Sequence, residues 1–100
     1  MTEPIDVVRS LEEHQGVLQS FGVQRIGIFG SQARGGGQAL SDVDVLVEFR
    51  PGQKSFDAYL DLKGYLETLF GRKVDLVLKE ALKEALREEI LRETVYATFR

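Results

Sequence analysis

Residues 41–49, Ser-Asp-Val-Asp-Val-Leu-Val-Glu-Phe, restrict the fold more than any other stretch of the chain. Val43, Val45 and Val47 alternate with Asp42, Asp44, Leu46 and Glu48, and a period of two marks a strand with one face turned to a core. Aspartate is a poor strand residue. A strand with two of them on one face therefore has those carboxylates ending a loop, facing solvent, or serving a ligand. Two more short apolar runs read as strands. Val23 to Phe29 carries Ile26 and Ile28 on one face, and Val74 to Leu78 turns Val74, Leu76 and Leu78 one way and Asp75 the other.

Helical spacing fills the intervals. Pro4 stands where a helix tolerates proline, and Ile5, Val8, Leu11, Leu18 and Phe21 recur until Gly22 offers a stop, which predicts a helix over 4–21. Gly16 costs that helix about 1 kcal/mol relative to alanine and marks where a break would fall. Ser55 can cap a helix whose Phe56, Tyr59, Leu62, Leu66, Leu69 and Phe70 form an apolar side, with Gly71 to end it. Phe56, Tyr59, Tyr65 and Phe70 are expected in the core rather than in a base-stacking platform. A last helix is predicted over 80–92, with Leu82, Ala85, Leu86 and Ile90 as its apolar stripe. Glu84 with Arg87, and Glu88 with Arg92, make charge pairs on its exposed side. Val95 to Phe99 can add an edge strand. Helices alternating with three strands predict an α/β fold, a small sheet flanked by helices, whose strand order and direction this pattern does not reveal.

Composition narrows the chemistry. A chain of 100 residues is expected to form a single domain over 1–100, leaving no separate acceptor-binding domain. Hydrophobic residues at 43% and charged residues at 29% place it among globular proteins. With no cysteine and one histidine, His14, a metal would have to be held by carboxylates, which points to magnesium or manganese. A net charge of -3 lacks the cationic footprint of a nucleic-acid binder, so nucleic acid is not expected as the main partner. There is no apolar run of roughly 20 residues and no basic, apolar leader, so a cytoplasmic protein without membrane contact is expected.

Asp42 and Asp44, two apart on a strand, have Cα atoms about 6.5–7 Å apart, and their charges repel by roughly 2 kcal/mol at an intermediate dielectric. A divalent cation converts that repulsion into a binding site. If the strand of Asp75 lies beside theirs, three carboxylates converge on a volume suited to two ions. Upstream, Gly30-Ser31-Gln32-Ala33-Arg34-Gly35-Gly36-Gly37 follows a strand and can offer backbone N–H groups, a hydroxyl and a cation to phosphate. It is not a Walker A loop, because Gly36 stands where lysine is required.

Gly30-Ser31-x-Ala33-Arg34-Gly35, followed after five residues by Ser41-Asp42-x-Asp44 and later by Val74-Asp75-Leu76-Val77, resembles the signature of the minimal nucleotidyltransferases of the DNA polymerase beta-like superfamily. The likeness runs from about residue 23 to 92, with Val45 in place of a common leucine and a slightly long glycine run. It implies a polymerase beta palm-like fold. It also implies that Gly30 and Ser31 hold the triphosphate of ATP, with Arg34 beside them. Asp42, Asp44 and Asp75 would bind two magnesium ions, Asp75 also helping to activate the attacking hydroxyl. Small proteins of this kind are commonly encoded with a HEPN toxin, and the resemblance implies an antitoxin that adds AMP to a toxin tyrosine. Two alternatives stay open: a binding module that neutralises its partner sterically, and transfer to a small molecule, for which a homo-oligomer could supply the missing surface. Arg9 and His14 share the Arg-x4-His spacing of HEPN ribonucleases by coincidence, since those proteins are helical bundles.

Overall fold

The computed structural model describes residues 4–33 and 42–100. Helices α1 (Pro4–Glu13) and α2 (Gln15–Ser20) lead into strand β1 (Val23–Phe29) and the single turn α3 (Gly30–Ala33). Strand β2 (Val43–Phe49), helix α4 (Phe56–Phe70) and strand β3 (Val74–Leu78) follow. A 3-10 turn (Lys79–Ala81), helix α5 (Glu84–Glu93) and strand β4 (Val95–Tyr96) complete the described chain. The strands form one mixed sheet in the order β3-β2-β1-β4. β1 is antiparallel to both β2 and β4, and β2 is parallel to β3.

The bounds of β1, β2 and β3 coincide with the apolar runs that predict them. Register explains why. Ile28 lies opposite Val45, and Val45 opposite Leu76, so the alternating positions of three strands fall on one face. That face meets Val7, Val8 and Leu11 of α1, Leu18 of α2, and Leu62 and Leu66 of α4 in a single buried cluster. Burying each of those leucines contributes about 1.5–3 kcal/mol. Leu46 is also fully buried, on the opposite face.

α4 begins and ends as its sequence demands. The Ser55 side chain accepts the Ala58 N–H at 3.0 Å, and Gly71 closes the helix in the left-handed region at φ 66°. Several expectations need correction. The first helix breaks at His14, two residues before Gly16, where the His14 ring bonds the Ser10 carbonyl at 2.7 Å and its N–H turns to Ser10 and Leu11. Phe56, the first residue of α4, is 75% exposed, whereas Tyr59, Tyr65 and Phe70 pack against the cluster: the apolar side of the helix turns to the core only from Tyr59 onward. The last helix is interrupted at Leu82 and Lys83 and begins at Glu84, and its apolar stripe is not core: α5 has no buried residue and Leu86 is 49% exposed. Arg92 does pair with Glu88 at 2.8 Å, whereas Arg87 turns to the Lys79 carbonyl at 3.4 Å. The predicted edge strand shortens to Val95–Tyr96. Among the described residues, no helix is long and apolar enough to cross a membrane.

Candidate functional site

The carboxylates gather at one end of the sheet. β1 arrives there and β2 departs, so Phe29 at the end of β1 is the register partner of Asp44 near the start of β2. On the other side, Asp44 is the register partner of Asp75. Neighbouring strands lie about 4.8 Å apart, and matched positions of a parallel pair face the same way. Val43 and Val74, the preceding pair, are both buried. Asp44 and Asp75 therefore stand side by side on the opposite face, Asp44 half-buried and Asp75 exposed. Asp42, exposed just before β2, lines with Asp75 a cleft of about 820 Å³ between the start of β3 and the end of α4.

Gly30 joins them for a steric reason. Its φ is +72°, a conformation that costs an L-residue roughly 1–2 kcal/mol. A Cβ on Gly30 would also collide with the Asp44 carboxylate. Glycine is thus favoured twice over, since a side chain here would have to push the tip of the central aspartate aside. The Gly30 N–H donates to Glu93 Oε1 at 3.0 Å, so the end of α5 is tied to the same turn.

The sequence-predicted site residues fall into two groups. Gly30, Asp42, Asp44 and Asp75 share one end of the sheet, with Ser31 following Gly30 in α3. Arg34 lies outside the described residues. Among the described residues, no three carboxylate or imidazole groups are gathered closely enough to enclose a metal ion. The donor set nonetheless suits a hard cation: carboxylate oxygens on adjacent strands, in register. Sequence reasoning missed Glu93, which lies in a helical charge run 63 residues from Gly30 and carries no local signal. It also missed the cations of the cleft, although Arg72 and Lys73 immediately precede the strand of Asp75.

Comparison with known proteins follows the same lines. The family model of the nucleotidyltransferase domain matches residues 10–97. Protein adenylyltransferase MntA of Thermococcus cleftensis is 42% identical over 95 residues, spanning 87% of this chain and 95% of that protein. A solved structure assigned to the minimal nucleotidyltransferases is similar with a TM-score of 0.80 at 34% identity, covering 94% of this chain and 95% of its own. A chain from a complex of tri-AMPylated Shewanella oneidensis HEPN toxin with MNT antitoxin shares the fold, with a TM-score of 0.63 at 19% identity, covering 93% of this chain and 73% of that one. The chain belongs to the nucleotidyltransferase domain family and is a minimal nucleotidyltransferase.

Proposed function

We propose that this nucleotidyltransferase moves AMP from ATP to a hydroxyl of a partner protein, and that it thereby acts as the antitoxin of a HEPN-type toxin. The observation that carries the reading is the in-register pair Asp44 and Asp75 beside the Gly30 turn. Phosphoryl transfer asks a protein for positioning and charge neutralisation more than for covalent help. Magnesium, when bound, would supply that neutralisation and make the acceptor hydroxyl more acidic. Asp42, Asp44 and Asp75 would hold it. Gly30 and Ser31 would hold the triphosphate, and Arg34 is proposed beside them. Asp75, on the far side of Asp44 from Gly30, orients the acceptor hydroxyl. The hydroxyl oxygen bonds to the α-phosphorus, the bond from that phosphorus to the β-bridging oxygen breaks, pyrophosphate leaves, and the hydroxyl proton passes to the Asp75 carboxylate or to water.

Protein as acceptor is supported by the 42% identical relative, which is named a protein adenylyltransferase. A HEPN-type partner is supported by the toxin–antitoxin complex that shares the fold. An acceptor protein would bring its own surface to the cleft, and such an enzyme would work in the cytoplasm.

The test is incubation with labelled ATP, magnesium and the protein encoded beside this one, read by intact mass. The expected result is a gain of one or more AMP units on the neighbouring protein, dependent on magnesium. Label that appears only on small molecules, or nowhere, would overturn the assignment.

A further inference from the structure

The 820 Å³ cleft beside β3 holds more charge than the proposed reaction uses. Beyond Asp42 and Asp75, its wall carries Lys63 of α4 and the pair Arg72 and Lys73 that follows the cap at Gly71. Its other polar groups are already engaged. Tyr59 donates its hydroxyl to the Leu76 carbonyl at 2.6 Å, and Glu67 accepts the Val74 N–H at 3.0 Å. The glutamate one turn from Lys63 is therefore committed to β3.

Arg25, Lys54, Lys79 and Arg92 each have a carboxylate within 4 Å. Lys63, Arg72 and Lys73 have none among the described residues, and Arg72 Nη1 is buried without a hydrogen-bond partner there. Arg9, Arg50, Lys83, Arg87 and Arg100 also lack an ion pair among the described residues, so the cleft is marked by the buried guanidinium nitrogen of Arg72 rather than by unpaired charge alone. Cations after a helix C-terminus are favoured by its dipole. That accounts for a charge at position 72 or 73. It does not account for Lys63, two turns back in α4, or for a guanidinium nitrogen set into the wall without an acceptor, an arrangement that is costly until one arrives.

Position in the sheet says which reactant meets them. The order β1-β2-β3 puts Gly30 on one side of Asp44 and the cleft on the other. In-line displacement requires the leaving pyrophosphate and the attacking hydroxyl on opposite sides of the phosphorus. With the triphosphate on the Gly30 side, the cleft is the acceptor side.

Building on the proposed function, we infer that Arg72, with Lys63 and Lys73, forms an anion-recognising acceptor subsite, selecting hydroxyls that have a negative group nearby. That group is either a carboxylate of the acceptor segment or the phosphodiester of an AMP already attached. Arg72 is the specificity-determining residue, since its planar fork suits both oxyanions.

Three short tyrosyl peptides test this by calorimetry, in the presence of magnesium and a non-hydrolysable ATP analogue. One has tyrosine flanked by glutamates, one has it flanked by glutamines, and one is the glutamine peptide with AMP on the tyrosine. At least one anionic peptide should bind about tenfold more tightly than the neutral one. Whichever arm gains identifies the source of the charge. Arg72→Gln should remove that preference and Arg72→Lys should keep part of it, while affinity for the ATP analogue stays within about twofold, which also shows that the variants fold. Equal binding of all three peptides, or a preference that survives Arg72→Gln combined with Lys63→Gln, would overturn the inference. If the charge preference holds but no AMP reaches any protein, the transfer reading falls and the anion-binding cleft stands.

Discussion

Replacing Gly30 by alanine separates backbone strain from damage to the site, because the fold supplies a matched control. Gly30 and Gly52 both have positive φ, +72° and +79°. A Cβ at Gly52 meets nothing within 4 Å, whereas at Gly30 it runs into the Asp44 carboxylate. Gly52→Ala should therefore cost only the left-handed penalty, about 1–2 kcal/mol. Gly30→Ala should cost the same plus the displacement of Asp44 from its rotamer, a further 0.5–1.5 kcal/mol or so. For a domain of this size each kcal/mol lowers Tm by about 4–8 °C, so both variants should melt early and Gly30→Ala the earlier. Activity should divide them more sharply. Gly52→Ala should transfer AMP within about twofold of the parent once folded, while a carboxylate misplaced by about 1 Å can cost roughly 100-fold. Thermal melts followed by circular dichroism and transfer from labelled ATP at a temperature where both variants are folded provide the comparison. If the two variants melt together and transfer equally, the contact between Gly30 and Asp44 has no part in the site.

Three further outcomes are expected. Asp44→Asn should abolish the rise in Tm that magnesium plus a non-hydrolysable nucleotide gives the parent, since ligand stabilisation follows affinity; a full rise in an Asp42, Asp44 double variant would remove both residues from the metal site. Asp75→Asn should keep the ATP analogue yet leave a co-expressed toxin unmodified and growth unrescued, at parental protein levels; full rescue with an unmodified toxin would favour steric neutralisation. Ser55→Ala should lose about 1 kcal/mol with its cap and Leu66→Ala about 2–5 kcal/mol from the buried cluster, both measured by urea unfolding; a Leu66→Ala cost below that of Ser55→Ala would contradict the packing described for α4.

What could be read from the sequence follows from where information is local. The bounds of β1, β2 and β3 and both caps of α4 are set by residues next to one another: an alternating valine run, a serine before a helix, a glycine after it. Asp42, Asp44 and Asp75 are visible for the same reason, as charges that violate a strand pattern. α5 shows the converse. Its leucines and isoleucine repeat at helical spacing, but spacing cannot say whether another element lies opposite, and here Leu86 is left half-exposed. The link from Glu93 to Gly30 is a single hydrogen bond between distant segments, with no pattern in either to announce it.

Strand order is equally hidden, yet it is what brings Asp44 and Asp75 side by side. An antiparallel pair puts the end of β1 beside the start of β2 whatever lies between them. β3 can start at that same end only if the chain first returns across the sheet, and α4 is the return. Its 15 residues span about 22 Å, and the seven residues of β2 about 23 Å, so helix and strand are matched in length. The match is fastened where it matters, by the Glu67 carboxylate on the N–H of Val74, one residue before Asp75. The placement of Asp75 against Asp44 thus depends on the packing of a helix that contributes no carboxylate to the proposed metal site. Weakening α4 at Leu62 or Leu66 should therefore reduce transfer at temperatures where the remainder of the sheet is still folded.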